Sequence, residues 1–109
     1  MITWSDFEKI EMRVGTVTAV QPFEKAKKPA YRLTIDFGEL GIKNSSAQIT
    51  ALYNMDDLKG KQVVAVVNFP PKQIANFFSE CLVLGVYNQN NDVVLLQPGM
   101  EVANGCRVG

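Results

Sequence analysis

Tyr31-Arg32-Leu33-Thr34-Ile35-Asp36-Phe37 sets how the rest of this 109-residue chain is read. Tyr31, Leu33, Ile35 and Phe37 fall on one side of a two-residue period, and Arg32, Thr34 and Asp36 on the other. That alternation fits a strand with one face on a core and the other in water. Downstream, Gly38–Gly41 supplies a turn and Ile42-Lys43-Asn44-Ser45-Ser46 a third strand. Gln62–Phe69 carries Val63, Val64, Val66 and Val67 almost continuously, as expected of a central strand buried on both faces. Pro70-Pro71 ends it, because proline cannot donate to a ladder. The stretch to Ser79 reads as a loop and Cys81–Val86 as a renewed strand. Asn88–Asp92 reads as a turn that lets Val93–Leu96 pair back on what precedes it.

Upstream, Pro22–Pro29 reads as a loop, and Val14, Val17 and Val20 mark a strand whose imperfect alternation suggests a bulge. Ser5-Asp6-Phe7-Glu8 has the form of a capping box and predicts a short helix, with Trp4, Phe7 and Ile10 on one face. Gln48–Tyr53 predicts one or two more helical turns with Ile49, Leu52 and Tyr53 inward, and Asp56-Asp57 a turn. Five or six short strands with many turns favour a closed barrel over a βαβ layout, which needs long amphipathic helices. The expectation is therefore a mainly all-β chain: a five-stranded OB-fold barrel with short N-terminal and connecting helices, one domain over residues 1–109.

Composition narrows function. The chain has no histidine, which removes the commonest general base and every serine or cysteine triad that depends on one. The acidic residues are scattered, so an enzyme is not expected. Cys81 and Cys106 stand alone, far from any zinc-ligand spacing, and read as reduced, mostly buried thiols. No metal or cofactor is expected. No apolar run is long enough to cross a bilayer and Met1–Asp6 lacks a signal-like core, so membrane insertion is not expected and a cytoplasmic location is.

Eleven basic residues balance eleven acidic ones, which counts against a binder that is basic overall. Locally, Lys25, Lys27, Lys28, Arg32 and Lys43 stand against only Asp36 and Glu39 between residues 25 and 43. Such a patch can meet phosphates without a basic total. OB-folds bind nucleic acid on strands two and three, between the loops that follow strands one and four. Here those loops are Pro22–Ala30, with Lys25, Lys27 and Lys28, and Pro70–Ser79, with Lys72, Gln73 and Asn76. Arg32 and Lys43 are expected on the polar side between them. The plainer alternatives are solvated lysines, an Arg32–Asp36 pair, and Ser45-Ser46 as a mere strand end. Of Phe77 and Phe78, one is expected to plug the barrel while the other is exposed.

Several stretches add specificity: Arg13-Val14-Gly15, Ser45-Ser46-Ala47-Gln48-Ile49-Thr50, Val66-Val67-Asn68-Phe69-Pro70-Pro71, Ser79-Glu80 and Val93-Val94-Leu95-Leu96-Gln97-Pro98. In this order they resemble the tRNA-binding-domain family nearly end to end, in its branch of CsaA-type chaperones. The resemblance implies an OB-fold, a homodimer, tRNA as partner, and unfolded or pre-secretory polypeptides as further clients. The alternative is a peptide-binding chaperone without physiological tRNA binding. The RNA-contact candidates are Lys27, Lys28, Arg32, Lys43, Ser45, Ser46, Lys72, Asn76 and Ser79. Phe69, Pro71, Phe77 and Phe78 are the peptide-binding candidates, and Trp4, Phe7, Met12, Val102 and Val108 the dimer contacts. Where the wider family has Ser-Glu-Gly-Met this chain has Ser79-Glu80-Cys81-Leu82, and for Ala-Asp-Lys-Leu it has Ala26-Lys27-Lys28-Pro29. Both departures are expected on the binding surface.

Overall fold

In the computed structural model, which describes residues 1–109, the decisive stretch forms β2 (Tyr31–Asp36). Leu33, Ile35 and Phe37 are buried, while Arg32, Thr34 and Asp36 lie half-exposed on the other face. β2 pairs antiparallel with β3 (Ile42–Ala47) on one edge and with β1 (Met12–Pro22) on the other. The register of β1 against β2 shifts between Val17 and Ala19, which is the expected bulge. A bulge bends the strand and raises its twist, so β1 serves two neighbours: its later half pairs with β2 and its first half with β4 (Gln62–Val66). Val63, Val64, Ala65 and Val66 are all buried, as a two-sided strand requires. β7 (Leu82–Val83) follows on the outer edge of β4, giving the order β3-β2-β1-β4-β7.

The seam between β3 and the chain entering β7 is closed largely by side chains. Glu80 N–H donates to Asn44 O (2.8 Å) and its carboxylate accepts from Asn44 N–H (2.9 Å). Ser79 Oγ accepts from Ser46 N–H at 3.2 Å, and Ser45 Oγ donates to Cys81 O at 3.0 Å. The result is a nearly closed five-stranded antiparallel barrel, the OB-fold expected from the pattern. Its core gathers Val17, Leu33, Ile35, Phe37, Val63, Ala65 and Leu95 from the strands with Leu58 beneath them. No helix is long and apolar enough to cross a membrane.

Several elements differ from expectation. The first helix, α1 (Trp4–Glu8), is capped by Thr3 rather than Ser5: Asp6 N–H donates to Thr3 Oγ1 (3.2 Å) and Thr3 N–H to Asp6 Oδ2 (2.9 Å). Thr3 and Asp6 have the same reciprocal chemistry as Ser5 and Glu8, two residues earlier. None of the residues of α1 is fully buried. Gln48–Tyr53 is not helical, and Leu52 is exposed. The helix comes later, as α2 (Met55–Leu58), because Asn54 caps it through Asp57 N–H and Asp56 and Asp57 favour a helix N-terminus.

The stretch to Ser79 is a hairpin rather than a loop: β5 (Lys72–Ile74) pairs with β6 (Phe77–Ser79) across a turn in which Ala75 takes φ of 54°. Cys81–Val86 is interrupted, because Leu84 N–H turns to Val64 O and β8 (Gly85–Tyr87) then forms its own hairpin with β9 (Val93–Leu95). That hairpin turns where expected, with Asn88 Oδ1 accepting from the N–H groups of Asn90 and Asp92. Both cysteines are free thiols, but only Cys81 is buried; Cys106 is exposed.

Candidate nucleic-acid interface

The β1–β2 loop closes on itself through Phe23 N–H to Ala30 O at 3.1 Å, which turns the Phe23 ring into a buried position. Phe77, from β6, meets that ring edge-on with centroids 5.3 Å apart. This contact joins two loops 54 positions apart in sequence, which is why their basic residues share one end of the barrel. The Arg32 guanidinium lies over both rings, 5.9 Å from the centroid of Phe23 and 5.6 Å from that of Phe77. Its Nη2 donates to Gln21 Oε1 at 2.7 Å, and its Nε–H is buried without a partner. The alternative Arg32–Asp36 pair is absent, since the two ion pairs of the chain are Lys9–Asp6 and Arg13–Glu11. Lys25, Lys27, Lys28, Lys72 and Arg32 therefore have no carboxylate within reach. Gln21, Pro22, Phe23, Glu24, Lys25, Arg32 and Asn76 line an open depression of about 450 Å³ at this end.

The candidate residues divide. Lys27, Lys28 and Lys72 are exposed around the depression's loops, Asn76 lies on its wall, and Ser46 is the cross-strand partner of Arg32 on the same face. Three candidates sit apart from this surface. Ser45 is fully buried with its hydroxyl spent on Cys81 O, so it cannot meet a surface ligand. Lys43 pairs in register with Ile35, and so belongs to the opposite face from Arg32. Ser79 Oγ is held in the barrel seam, accepting from Ser46 N–H and donating to Cys81 O at 3.2 Å.

Sequence reasoning missed Gln21 and Phe23, and left Lys25 among the loop residues without choosing it. Gln21 stands directly across from Arg32, a pairing that follows only from a register the bulge displaces by one residue. Phe23 carried no sequence signal of its own.

Of the four apolar candidates, Phe69, Pro71 and Phe78 are exposed, and Phe78 shares the outer face of its hairpin with Gln73. Phe77 packs on Phe23 and Arg32 outside the main core, so neither phenylalanine plugs the barrel. Of the dimer candidates, Trp4, Phe7 and Val108 share a second depression with Glu8, Arg107 and Gly109. Met12 adjoins it by accepting at its carbonyl from Val108 N–H (2.9 Å). Val102 does not join them. Its backbone is clasped by the Gln62 side chain, at the far end of the β1–β4 ladder from Met12.

Cys81 belongs to the core rather than to this surface. Burial pushes its thiol up to about 11, against smaller downward pulls from the Ser45 hydrogen bond and the Lys43 charge. Only Leu82 of the Cys81-Leu82 departure is exposed, so that departure alters the core as much as the surface.

Residues 12–107 match a family described as "Putative tRNA binding domain". The methionine–tRNA ligase of Leptospira biflexa is 41% identical over 104 residues, which cover 95% of this chain but 15% of the ligase. The crystal structure of chaperone CsaA from Bacillus anthracis is similar at a TM-score of 0.95 and 57% identity, covering 100% of this chain and 99% of that one. A CsaA chaperone protein from Picrophilus torridus gives 0.94 and 53%, with both chains covered in full.

Proposed function

Because the chain belongs to the tRNA-binding-domain family and resembles the CsaA chaperones over its whole length, we propose that this non-catalytic protein binds tRNA through the barrel end built around Arg32. It does so as a cytoplasmic homodimer that also engages unfolded or pre-secretory polypeptides. The observation that carries the reading is a set of five cations, Lys25, Lys27, Lys28, Lys72 and Arg32, none paired with a carboxylate. Unpaired cations at one end of a barrel neutralise phosphates and release the counterions condensed on RNA. With no net charge on the chain, long-range attraction is small, and binding is modest and sensitive to salt. Contacts of this kind read backbone and shape rather than sequence.

Exposure of Trp4 at 84% beside Phe7 and Val108 supports the dimer, since a two-fold contact buries such a patch on both copies at once. Exposure of Phe69 and Phe78 at 56% and 55% supports the polypeptide clients, for which large apolar side chains left in water are the expected contacts.

The test is fluorescence anisotropy of labelled bulk tRNA across a salt series, with wild type and the Lys28→Ala/Arg32→Ala double variant. Affinity that falls steeply with salt and collapses in the variant supports the RNA reading. Absence of binding at low salt sinks it and leaves the polypeptide reading. Light scattering on the same sample counts protomers, and a monomeric mass at micromolar concentration overturns the dimer.

A further inference from the structure

Arg32 is held differently from the lysines around it. Its guanidinium is fixed by two aromatic rings and by Gln21, and Nε is sealed from water with no acceptor. Nη1 has no hydrogen bond in the chain and is not buried, and Arg32 lines the depression. A guanidinium carries a planar fork of N–H donors suited to two oxygens of one phosphate. The rings and Gln21 set that fork's orientation before any ligand arrives, which lowers the ordering cost of binding.

The surroundings suit one nucleotide. The volume of about 450 Å³ lies in the range of small-ligand pockets, which is too small for a stretch of duplex. Lys25 and Arg32 against Glu24 leave one net positive charge in the lining, matching one phosphodiester. The carboxamide of Asn76 has no hydrogen bond in the chain, nor has Nε2 of Gln21; both border the depression and can meet the edge of a base. The floor lies between two loops. A paired RNA helix presents its phosphates on a convex cylinder, so it meets the rim lysines without reaching Arg32.

We propose that this depression is a nucleotide pocket that takes a single unpaired nucleotide of a bound RNA, its phosphate on Arg32 and its base edge toward Asn76 and Gln21. This rests on the RNA-binding reading above and adds to it: the protein selects unpaired segments over paired ones. The rim lysines give the shared, unselective part of the affinity.

The test compares three labelled probes by anisotropy at low salt: bulk tRNA, a short single-stranded RNA of mixed sequence, and that strand annealed to its complement. The proteins are wild type, Arg32→Lys, Asn76→Ala and Lys27→Ala, each checked for an unchanged melting transition. Wild type is expected to favour the single strand over the duplex by about tenfold or more, the size of one good base or bidentate contact. Arg32→Lys keeps the charge but loses the fork, and is expected to erase most of that preference while leaving duplex binding within about twofold. Asn76→Ala, on an exposed turn, reduces the preference without touching the stack. Lys27→Ala weakens all three probes alike.

Equal binding of single strand and duplex by wild type overturns the pocket while the RNA reading stands, as does equal loss on all probes in Arg32→Lys. If no RNA probe binds, the RNA reading falls and takes the pocket with it. A peptide that competes only when its C-terminal carboxylate is free, and displaces the single strand, would reassign the depression to peptide ends and overturn the proposal.

Discussion

Gly15 offers the sharpest test of how the barrel is packed where β1 meets β2. A Cβ added there would lie 2.6 Å from Ile35 Cγ2 and 2.7 and 2.8 Å from Phe37 Cδ1 and Cε1, against the 3.4–4 Å of ordinary contact. Ile35 and Phe37 are both wholly inaccessible to solvent, so neither can swing aside into water. Overpacking of this kind costs about 1–3 kcal/mol. Replacing glycine also restricts the unfolded chain, which returns about 0.4–1 kcal/mol. Gly15→Ala is therefore expected to lose about 1–2 kcal/mol, and for a domain of this size to lower Tm by roughly 4–8 °C. The measurement is a thermal melt with a matching urea titration, with Gly99→Ala as reference because no atom lies within 4 Å of a Cβ there. A Gly15→Ala protein that melts with wild type or above it would refute the close packing of β1 on β2.

Further expectations concern the seam and the core thiol. Ser79→Ala leaves the Ser46 N–H without its acceptor and is expected to cost about 1–2 kcal/mol while leaving the salt dependence of tRNA binding unchanged. A large loss of affinity at unchanged stability would make Ser79 an RNA contact after all. The raised pKa of Cys81 has a signed consequence. Between its ordinary value of 9.0 and about 11 the folded thiol keeps a proton that the unfolded one has lost, so its contribution is whole below pH 9 and disappears as pH rises to 11. Urea midpoints of wild type should fall more steeply over that window than those of Cys81→Ala, by at most about 3 kcal/mol in stability; parallel curves would refute the buried, protonated thiol.

The parts of the fold legible in sequence were those written in local periodicity. The alternation of Tyr31–Phe37, the two-sided run at Val63–Val66 and the bulge in β1 all appear as expected, because each is a property of a single strand against water or core. The site was less legible, since it depends on pairing. Arg32 reached the right face because its own strand alternates cleanly. Lys43 did not, because Ile42–Ser46 has no apolar alternation to show which side is inward, and only the register with Ile35 settles it. Ser45 looked like a surface hydroxyl for the same reason; its burial depends on Cys81 O, 36 positions away, arriving to accept its hydrogen. The hairpin at Lys72–Ser79 was hidden because its turn uses Ala75 at positive φ rather than a glycine.

Charge neutrality and a locally basic end of the barrel are compatible here because the acids are employed or placed elsewhere. Glu80 holds the barrel seam through Asn44, Glu11 is tied to Arg13, Asp6 completes the cap of α1, and Asp56 and Asp57 sit at the start of α2. Of the carboxylates, Glu24 alone lines the depression around Arg32. The two departures from the wider family pattern then separate physically. Cys81 replaces a residue of the seam and acts on the packing behind β3, where Ser45 meets it. Lys27 and Pro29 change the exposed β1–β2 loop beside the depression, Lys27 adding a cation where the family carries an acid. A substitution at the first position should therefore register in stability and pH dependence, and one at the second in salt dependence of RNA binding. Ser79, an RNA-contact candidate in the sequence, and Glu80 hold the seam because β3 and β7 do not pair along their length. The barrel is closed there largely by side chains.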